Sequence, residues 1–320
     1  MDATPARPEL GAHALRYRPP YSWAPVLAHF AARAVAGLEW VVPCSASAPE
    51  GAYWRTAAED GAAGAVAVTH APECESVCVT VHGFAADAAP RVLPRVLARV
   101  RRVFALDVDV RPIGAHLARD PRLAPLVAGR PGLRAPGGWS GFELGVRAVL
   151  GQQVSVAAAR HLARQLVALC GTPVALPEGV PPRAQPPTRP AYAFPTPAQI
   201  VTADLAPLGM PASRKAALRA LAEAALADPT LFEAGASLGE TVARLRRIRG
   251  VGEWTAQYIA LRAAGEPDAF PASDAKLLRA GVADGPDALL AHAERWRPWR
   301  AYAAQHLWSA EPADVRPAAP

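Results

Sequence analysis

The sequence has no long apolar run and no amino-terminal targeting segment. No stretch approaches the ~18–20 apolar residues that cross a bilayer. The first ten residues, MDATPARPEL, also lack the apolar core of a signal peptide. The hydrophobic fraction of 51% nevertheless supplies a packed core, which argues against a disordered chain. We therefore expect a soluble, cytoplasmic protein with no membrane partner.

Cysteine is scarce. The four cysteines are Cys44, Cys74, Cys78 and Cys170, and only Cys74 and Cys78 form a close pair. A structural zinc site usually needs two such pairs, so we expect buried thiols instead. No cysteine follows Cys170, which excludes a carboxy-terminal iron–sulfur cluster.

Lysine is almost absent, occurring only at positions 215 and 276, so arginine carries nearly all the positive charge. The formal charge is 34 − 28 = +6 and the pI is near 9.5. This balance favours a polyanionic partner. A GC-rich coding bias explains the arginines equally well, so their positions inform more than their number.

The amino-terminal part predicts an α+β domain over residues 15–112, preceded by a loose tail at 1–14. Period-two alternation bounded by Gly, Pro and Asp is typical of half-buried antiparallel strands. It occurs at 51–56, 64–69 and 77–81. Helical spacing occurs at 26–38 and 90–104.

The remainder predicts an all-α region over residues 113–310, followed by a tail at 311–320. Proline is so dense at 174–197 that we expect a loop or polyproline linker there. Helical periodicity predicts helices at 142–150, 155–170, 197–203, 211–226, 238–247, 252–264, 274–280 and 286–309. The fold class is therefore α+β, an antiparallel-sheet domain joined to a helical region.

The most informative stretch is LRRIRGVGEWTA at 245–256, which predicts a helix, a Gly-Val-Gly turn and a second helix. Both glycines suit a turn so tight that only a residue without Cβ can form it. In a helix–hairpin–helix, backbone N–H groups and the positive end of the second helix bind a phosphate of any sequence. The alternative is an ordinary helix connection with glycine caps. The predicted DNA-binding residues here are Arg249, Gly250, Val251, Gly252, Glu253 and Thr255.

The segment resembles the helix–hairpin–helix DNA glycosylases, and within them the bacterial 3-methyladenine DNA glycosylase II family. The resemblance runs from about Tyr17 to Trp308. Its ordered landmarks are PPYSW at 19–23, AARAV at 31–35, PGLR at 131–134, GVRAVLGQQVS at 145–155, LGM at 208–210 and ERWRPWRAY at 294–302.

The resemblance makes Asp274 the expected catalytic residue, because it occupies the position of the family's essential aspartate. A carboxylate beside the sugar would stabilise the positive charge that develops as the base departs, or deprotonate the attacking water. The alternative is that Asp274 only caps the following helix. Asp268 is a lower-ranked rival.

The resemblance also implies a pocket for the extruded base and a residue that fills the gap in the duplex. The wedge position, leucine in well-known relatives, is Gln153 here, and the pocket aromatic of the amino-terminal helix is replaced by His29, next to Phe30. The hairpin's backbone carbonyls, at Arg246, Ile248 and Val251, could hold Na⁺ or K⁺. The expected pocket residues are Trp254, Tyr258, Trp308, His29 and Phe30.

Trp254 occupies the position where related bifunctional enzymes carry a Schiff-base lysine. The resemblance therefore implies monofunctional hydrolysis of alkylated purines, chiefly 3-methyladenine, by a monomer acting on double-stranded DNA without a required cofactor. Two alternatives are a glycosylase for oxidised or other damaged bases and a helix–hairpin–helix DNA-binding protein without catalysis.

Overall fold

The computed structural model describes residues 11–45, 50–59, 61–175 and 190–310. The chain divides into two compact units, each assembled from separated segments. The sheet unit comprises 1–17, 27–102 and 153–211, and the helical unit comprises 18–26, 103–152 and 212–320. The units therefore alternate along the chain, whereas the sequence predicts a single boundary near residue 112. The predicted tail at 311–320 lies outside the described residues.

The sheet unit contains a five-stranded antiparallel sheet, which confirms the predicted α+β class. Its strand order is β1-β5-β4-β3-β2. The strands are β1 (Ala12–Arg16), β2 (Glu39–Val42), β3 (Ala52–Glu59), β4 (Ala62–Ala71) and β5 (Ser76–His82). The three predicted strands correspond to β3, β4 and β5, whereas β1 and β2 were not predicted. Residues 12–14 thus belong to β1 and not to a tail, because they pair with β5.

Apolar pairs across neighbouring strands fill the interior of this unit. Trp40 pairs with Trp54 and stacks on it at a ring-centroid distance of 5.8 Å. Helix α2 (Ala89–Val103) buries Val92, Val96 and Val100, which are spaced one helical turn apart. The predicted helix at 90–104 is therefore confirmed.

The sheet unit is completed by the second part of α1 (Trp23–Arg33), by α6 (Val156–Cys170) and by α7 (Pro197–Thr202). Two short antiparallel strands, β6 (Thr172–Val174) and β7 (Ala191–Ala193), border the proline-rich stretch. The prediction of a loop over all of 174–197 is therefore wrong at both ends. At the carboxy-terminal end, residues 191–193 form a strand instead of a loop. The backbone of Tyr192 is hydrogen-bonded there to the Gly37 carbonyl oxygen and to the Thr56 hydroxyl. Residues 176–189 lie outside the described part.

The helical unit contains α3 (Val110–Leu117), α4 (Ala124–Gly129), α5 (Gly141–Leu150), α8 (Ala212–Ala227), α9 (Leu238–Arg246), α10 (Glu253–Ile259), α11 (Ala275–Arg279), α12 (Pro286–Ala293) and α13 (Arg300–Ser309). A π-helix at Ala260–Ala264 continues α10. Helix α5 packs against both α8 and α10. The helix predicted at 286–309 is interrupted before α13, where Pro298 cannot donate a backbone hydrogen bond.

A buried guanidinium organises the loops of the helical unit. Arg134 is 0% exposed and donates to the carbonyl oxygens of Arg18, Pro20, Ala105 and Val108. One side chain thereby satisfies four carbonyl oxygens outside regular secondary structure. No helix in the described ranges is long and apolar enough to cross a membrane.

Candidate active site

The predicted helix–hairpin–helix is present between α9 and α10. Gly250 has φ +85°, and a Cβ atom at this position would lie 2.4 Å from Cβ of Ala217 on α8. Both the backbone angle and the close approach therefore require glycine at 250.

Gly252 has a different role from the predicted one. Its φ of −87° and ψ of −179° are available to any residue, so the prediction that its backbone angles demand glycine is wrong. A Cβ atom there would meet nothing within 4 Å. Gly252 is the N-cap of α10, and the open space beside it leaves the first turn of that helix accessible.

The hairpin's side chains divide into inward and outward groups. Ile248 and Val251 are buried, and the Val251 N–H donates to the Ile248 carbonyl oxygen at 3.0 Å. Thr255 is also buried, so its side chain does not reach the surface where DNA was predicted to bind. Arg249 is exposed, and Glu253 forms an exposed ion pair with Arg246 at 3.0 Å.

Gln152 holds the hairpin in place, a role that the sequence did not indicate. Its Nε2 donates to the Gly250 carbonyl oxygen at 2.9 Å and to Thr255 Oγ1 at 3.0 Å. The next residue, Gln153, is exposed and has φ +56°, a conformation that non-glycine residues seldom adopt. The two glutamines therefore differ: one anchors the hairpin, and the other presents its side chain to solvent.

The Asp274 carboxylate is held by four hydrogen bonds. Oδ1 accepts from the backbone N–H groups of Lys276 (2.9 Å) and Leu277 (3.2 Å), so Asp274 does cap α11. Oδ1 also accepts from Trp308 Nε1 at 2.9 Å, and Oδ2 accepts from Trp254 Nε1 at 3.0 Å. Two indoles distant in sequence thus fix the orientation of one half-buried carboxylate.

The loop before Asp274 is tied to α10. The side chain of Gln257 accepts a hydrogen bond from the Phe270 backbone N–H at 3.0 Å. The Asp274 backbone N–H in turn donates to the Pro271 carbonyl oxygen at 2.8 Å. The position of the carboxylate relative to Trp254 is therefore set by backbone as well as side-chain contacts.

Trp254, Tyr258 and Trp308 form one aromatic cluster, as their expected common role requires. Trp254 and Tyr258 are stacked, with centroids 5.4 Å apart and planes at 11°. Tyr258 meets Trp308 edge to face at 6.1 Å and 66°. The cluster and Asp274 lie together because the indole N–H groups of its two tryptophans bind the carboxylate.

Asp268, the lower-ranked rival of Asp274, lies in an ion-pair network. Its two oxygens accept from Arg300 at 2.8 and 2.9 Å, and Oδ2 also accepts from Arg297. Arg300 is 5% exposed and further pairs with Glu294. These contacts give Asp268 a structural role.

His29 and Phe30 lie on the part of α1 that belongs to the sheet unit. Phe30 is 7% exposed and contacts the Tyr53 ring at a centroid distance of 4.7 Å, so it contributes to the core of that unit. His29 is half-buried and touches Phe30 edge to face. Their predicted role in the base pocket stays a prediction.

The chain is similar in sequence and in fold to known proteins. Residues 12–140 match the family described as the AlkA N-terminal domain. A Mycobacterium tuberculosis protein named "Probable bifunctional transcriptional activator/DNA repair enzyme AlkA" is 38% identical over 300 residues, which are 92% of this chain and 56% of that protein. This chain therefore spans about half the length of that relative.

Two further proteins match along nearly their whole length. The 3-methyladenine DNA-glycosylase from Archaeoglobus fulgidus shares the fold, with a TM-score of 0.71 at 22% identity, covering 93% of this chain and 97% of that one. DNA-3-methyladenine glycosylase 2 from Escherichia coli is 34% identical over 303 residues, covering 93% of this chain and 97% of the relative. The resemblance in the sequence is thereby confirmed, and the chain belongs to the DNA-3-methyladenine glycosylase 2 family.

Proposed function

We propose that the chain is a monofunctional DNA glycosylase that flips alkylated purines, chiefly 3-methyladenine, out of duplex DNA and hydrolyses the bond between base and sugar. The product is an abasic site, an intermediate of base excision repair. The observation that carries this proposal is the Asp274 carboxylate, oriented by the indole N–H groups of Trp254 and Trp308.

The hydrogen bonds of Asp274 indicate which oxygen does the chemistry. Among the described residues, Oδ1 accepts three hydrogen bonds and Oδ2 accepts one. A carboxylate oxygen has two lone pairs, so Oδ2 keeps one that can accept from a water. As the base leaves with the electron pair of the C1′–N bond, the sugar becomes positive and the carboxylate stabilises it. The water oxygen then adds to C1′, and its proton passes toward Asp274.

The aromatic cluster suits an alkylated purine because such a base carries a positive charge. A cation over an indole or phenol face gains ~0.5–2 kcal/mol from the ring quadrupole. The discrimination is modest, and it suits an enzyme that relies on the weakened bond of a charged leaving group.

The hairpin would position a monomer of the protein on double-stranded DNA. Gly252 leaves the start of α10 open to a phosphate, and the exposed Arg249 adds positive charge beside it. Gln153 would fill the space vacated by the flipped nucleotide. The carbonyl oxygens of Arg246, Ile248 and Val251 would hold Na⁺ or K⁺; the inward packing of the Ile248 and Val251 side chains is compatible with this.

The positions of the lysines favour hydrolysis of the base–sugar bond without cleavage of the DNA strand. Position 254, where a Schiff-base lysine would stand, is tryptophan. The Nζ of Lys276 donates a hydrogen bond to the Trp308 carbonyl oxygen, and Lys215 lies on α8. We therefore expect water as the nucleophile and no organic cofactor.

The test is product analysis on duplex DNA treated with a methylating agent, with untreated duplex as the control. The protein should release free 3-methyladenine and leave strands that break only after alkali. Strand breakage before alkali would contradict the monofunctional assignment. DNA binding without release of any methylated base would overturn the proposed activity and favour a non-catalytic DNA-binding role.

A further inference from the structure

A buried arginine, Arg262, lies against the aromatic cluster. It belongs to the π-helix that follows α10, and it is 2% exposed. Its Nη1 donates to the Pro136 carbonyl oxygen at 2.8 Å, and its Nη2 donates to Gln305 Oε1 at 2.7 Å. Its own carbonyl oxygen accepts from the Gly138 N–H at 2.9 Å. These two donated hydrogen bonds fix the position of the guanidinium.

The guanidinium contacts two of the three rings of the cluster. Its central carbon lies 5.1 Å from the ring centroid of Trp308 and 5.9 Å from that of Tyr258. The indole N–H of the same Trp308 donates to Asp274. The cluster thus has a fixed positive charge against its ring faces and a fixed negative charge at its indole edges.

We propose that Arg262 is a positioning residue that promotes departure of the base, acting through Trp308 and Tyr258 without touching the substrate. This proposal rests on the function proposed above. When the C1′–N bond breaks, its electron pair moves onto the base, so a cationic base leaves neutral while the positive charge passes to the sugar. A cation behind the base favours this movement of electrons, and the Asp274 carboxylate favours the charge that results on the sugar.

The same charge opposes binding of a cationic base before the bond breaks. Arg262 therefore destabilises the bound substrate more than the transition state, in which the positive charge has moved away. Two unit charges within ~10 Å at an effective dielectric of ~20 change an equilibrium by roughly tenfold. We expect removal of the charge to slow excision while strengthening binding of a cationic lesion.

Gln305→Glu places a negative charge beside the guanidinium with minimal change of shape. The new carboxylate would sit where Gln305 Oε1 now accepts from Arg262, and its other oxygen could accept from Ser309 Oγ, to which Gln305 now donates at 3.0 Å. Arg262→Met removes the cation directly, and Arg262→Lys keeps a charge without the planar group. Thermal unfolding identifies any variant that fails to fold.

The experiment compares the native chain with these variants on duplexes carrying 7-methylguanine, a cationic base. Single-turnover release gives the rate, and the matching 2′-fluoro duplex, which resists cleavage, gives the dissociation constant. A 2′-fluoro duplex carrying neutral hypoxanthine is the binding control. For Gln305→Glu and Arg262→Met we expect release roughly tenfold slower, tighter binding of 7-methylguanine and unchanged binding of hypoxanthine. Arg262→Lys should lie nearer to the native chain.

A merely structural role would slow release and weaken binding of both lesions together, and that result would overturn the inference. Unchanged rate and affinity in Gln305→Glu, with native thermal stability, would overturn it as well. Failure of the proposed function is distinguishable, because the native chain itself would then release no 7-methylguanine.

Discussion

Asp268 and Asp274 lie six positions apart, yet their surroundings give them opposite roles. Asp268 is paired with the buried Arg300, which cancels its charge and fixes it in the framework of the helical unit. Asp274 is held by neutral indole and backbone N–H donors, which orient the carboxylate without supplying an opposing charge. This difference suits the proposed function, because a carboxylate that stabilises a positive sugar is better held by neutral donors than by a guanidinium.

Two other pairs of near neighbours divide in the same way. Gly250 is required by the fold, whereas Gly252 leaves open space in front of α10. Gln152 anchors the hairpin, whereas Gln153 is exposed. In each pair one residue maintains the hairpin, and the other faces open space or solvent.

The largest effect on stability is expected from Asp268→Asn. Among the residues that the structure describes, the change leaves the 5%-exposed guanidinium of Arg300 with Glu294 as its acidic partner. Breaking a buried ion pair costs about 3–5 kcal/mol. Denaturant unfolding measures the loss, and the release rate of the folded variant should stay near native. A variant of native stability with no release would reverse the roles assigned to the two aspartates.

A buried histidine of the helical unit, His306, should make the stability of the protein depend on pH. Burial, together with the charge of Arg130, lowers the pKa of His306 from 6.5 to about 4. The unfolded state then takes up the proton first, so stability present above pH ~6.5 is lost as the pH falls toward ~4, by about 3 kcal/mol in all. Unfolding measured across this range should show a weaker pH dependence in His306→Gln. An equal dependence in both proteins would contradict the assignment.

Substitution of Gly250 should lower stability, whereas substitution of Gly252 should weaken DNA binding. Gly250→Ala forces a Cβ atom against Ala217 at a positive φ and should cost about 1–3 kcal/mol of unfolding free energy. Gly252→Ala should leave thermal stability unchanged and weaken binding to undamaged duplex, because the new methyl group occupies the space beside α10. Equal binding by native protein and Gly252→Ala would show that no phosphate approaches there.

An effect no larger than that of the glycines is expected from the glutamines. Gln152→Ala removes two hydrogen bonds to the hairpin, each contributing about 0.5–1.5 kcal/mol, and should lower thermal stability and DNA affinity together. Gln153→Ala should preserve stability and slow release from damaged duplex. Lower thermal stability of Gln153→Ala than of Gln152→Ala would contradict the different roles assigned to the two glutamines.

The sequence predicted the elements with strong periodicity and missed those set by tertiary contacts. Alternation predicted β3, β4 and β5, but β1 alternates only between exposed and half-buried residues, and β2 has four residues. The hairpin and Asp274 were found from motif and resemblance. Arg262 carried no signal, because a single arginine in an apolar helix also fits an exposed position. The contacts of Gln152 and Trp308 join segments far apart in sequence, which periodicity cannot show.

The most direct test of the account is single-turnover release of 3-methyladenine by Asp274→Asn, measured beside the native chain on the same methylated duplex. Asparagine is as good an N-cap as aspartate, so α11 and the fold should be retained. We predict release slower by at least about 100-fold with DNA affinity unchanged. Release at close to the native rate by the folded variant would show that the carboxylate held by Trp254 and Trp308 does not carry the reaction.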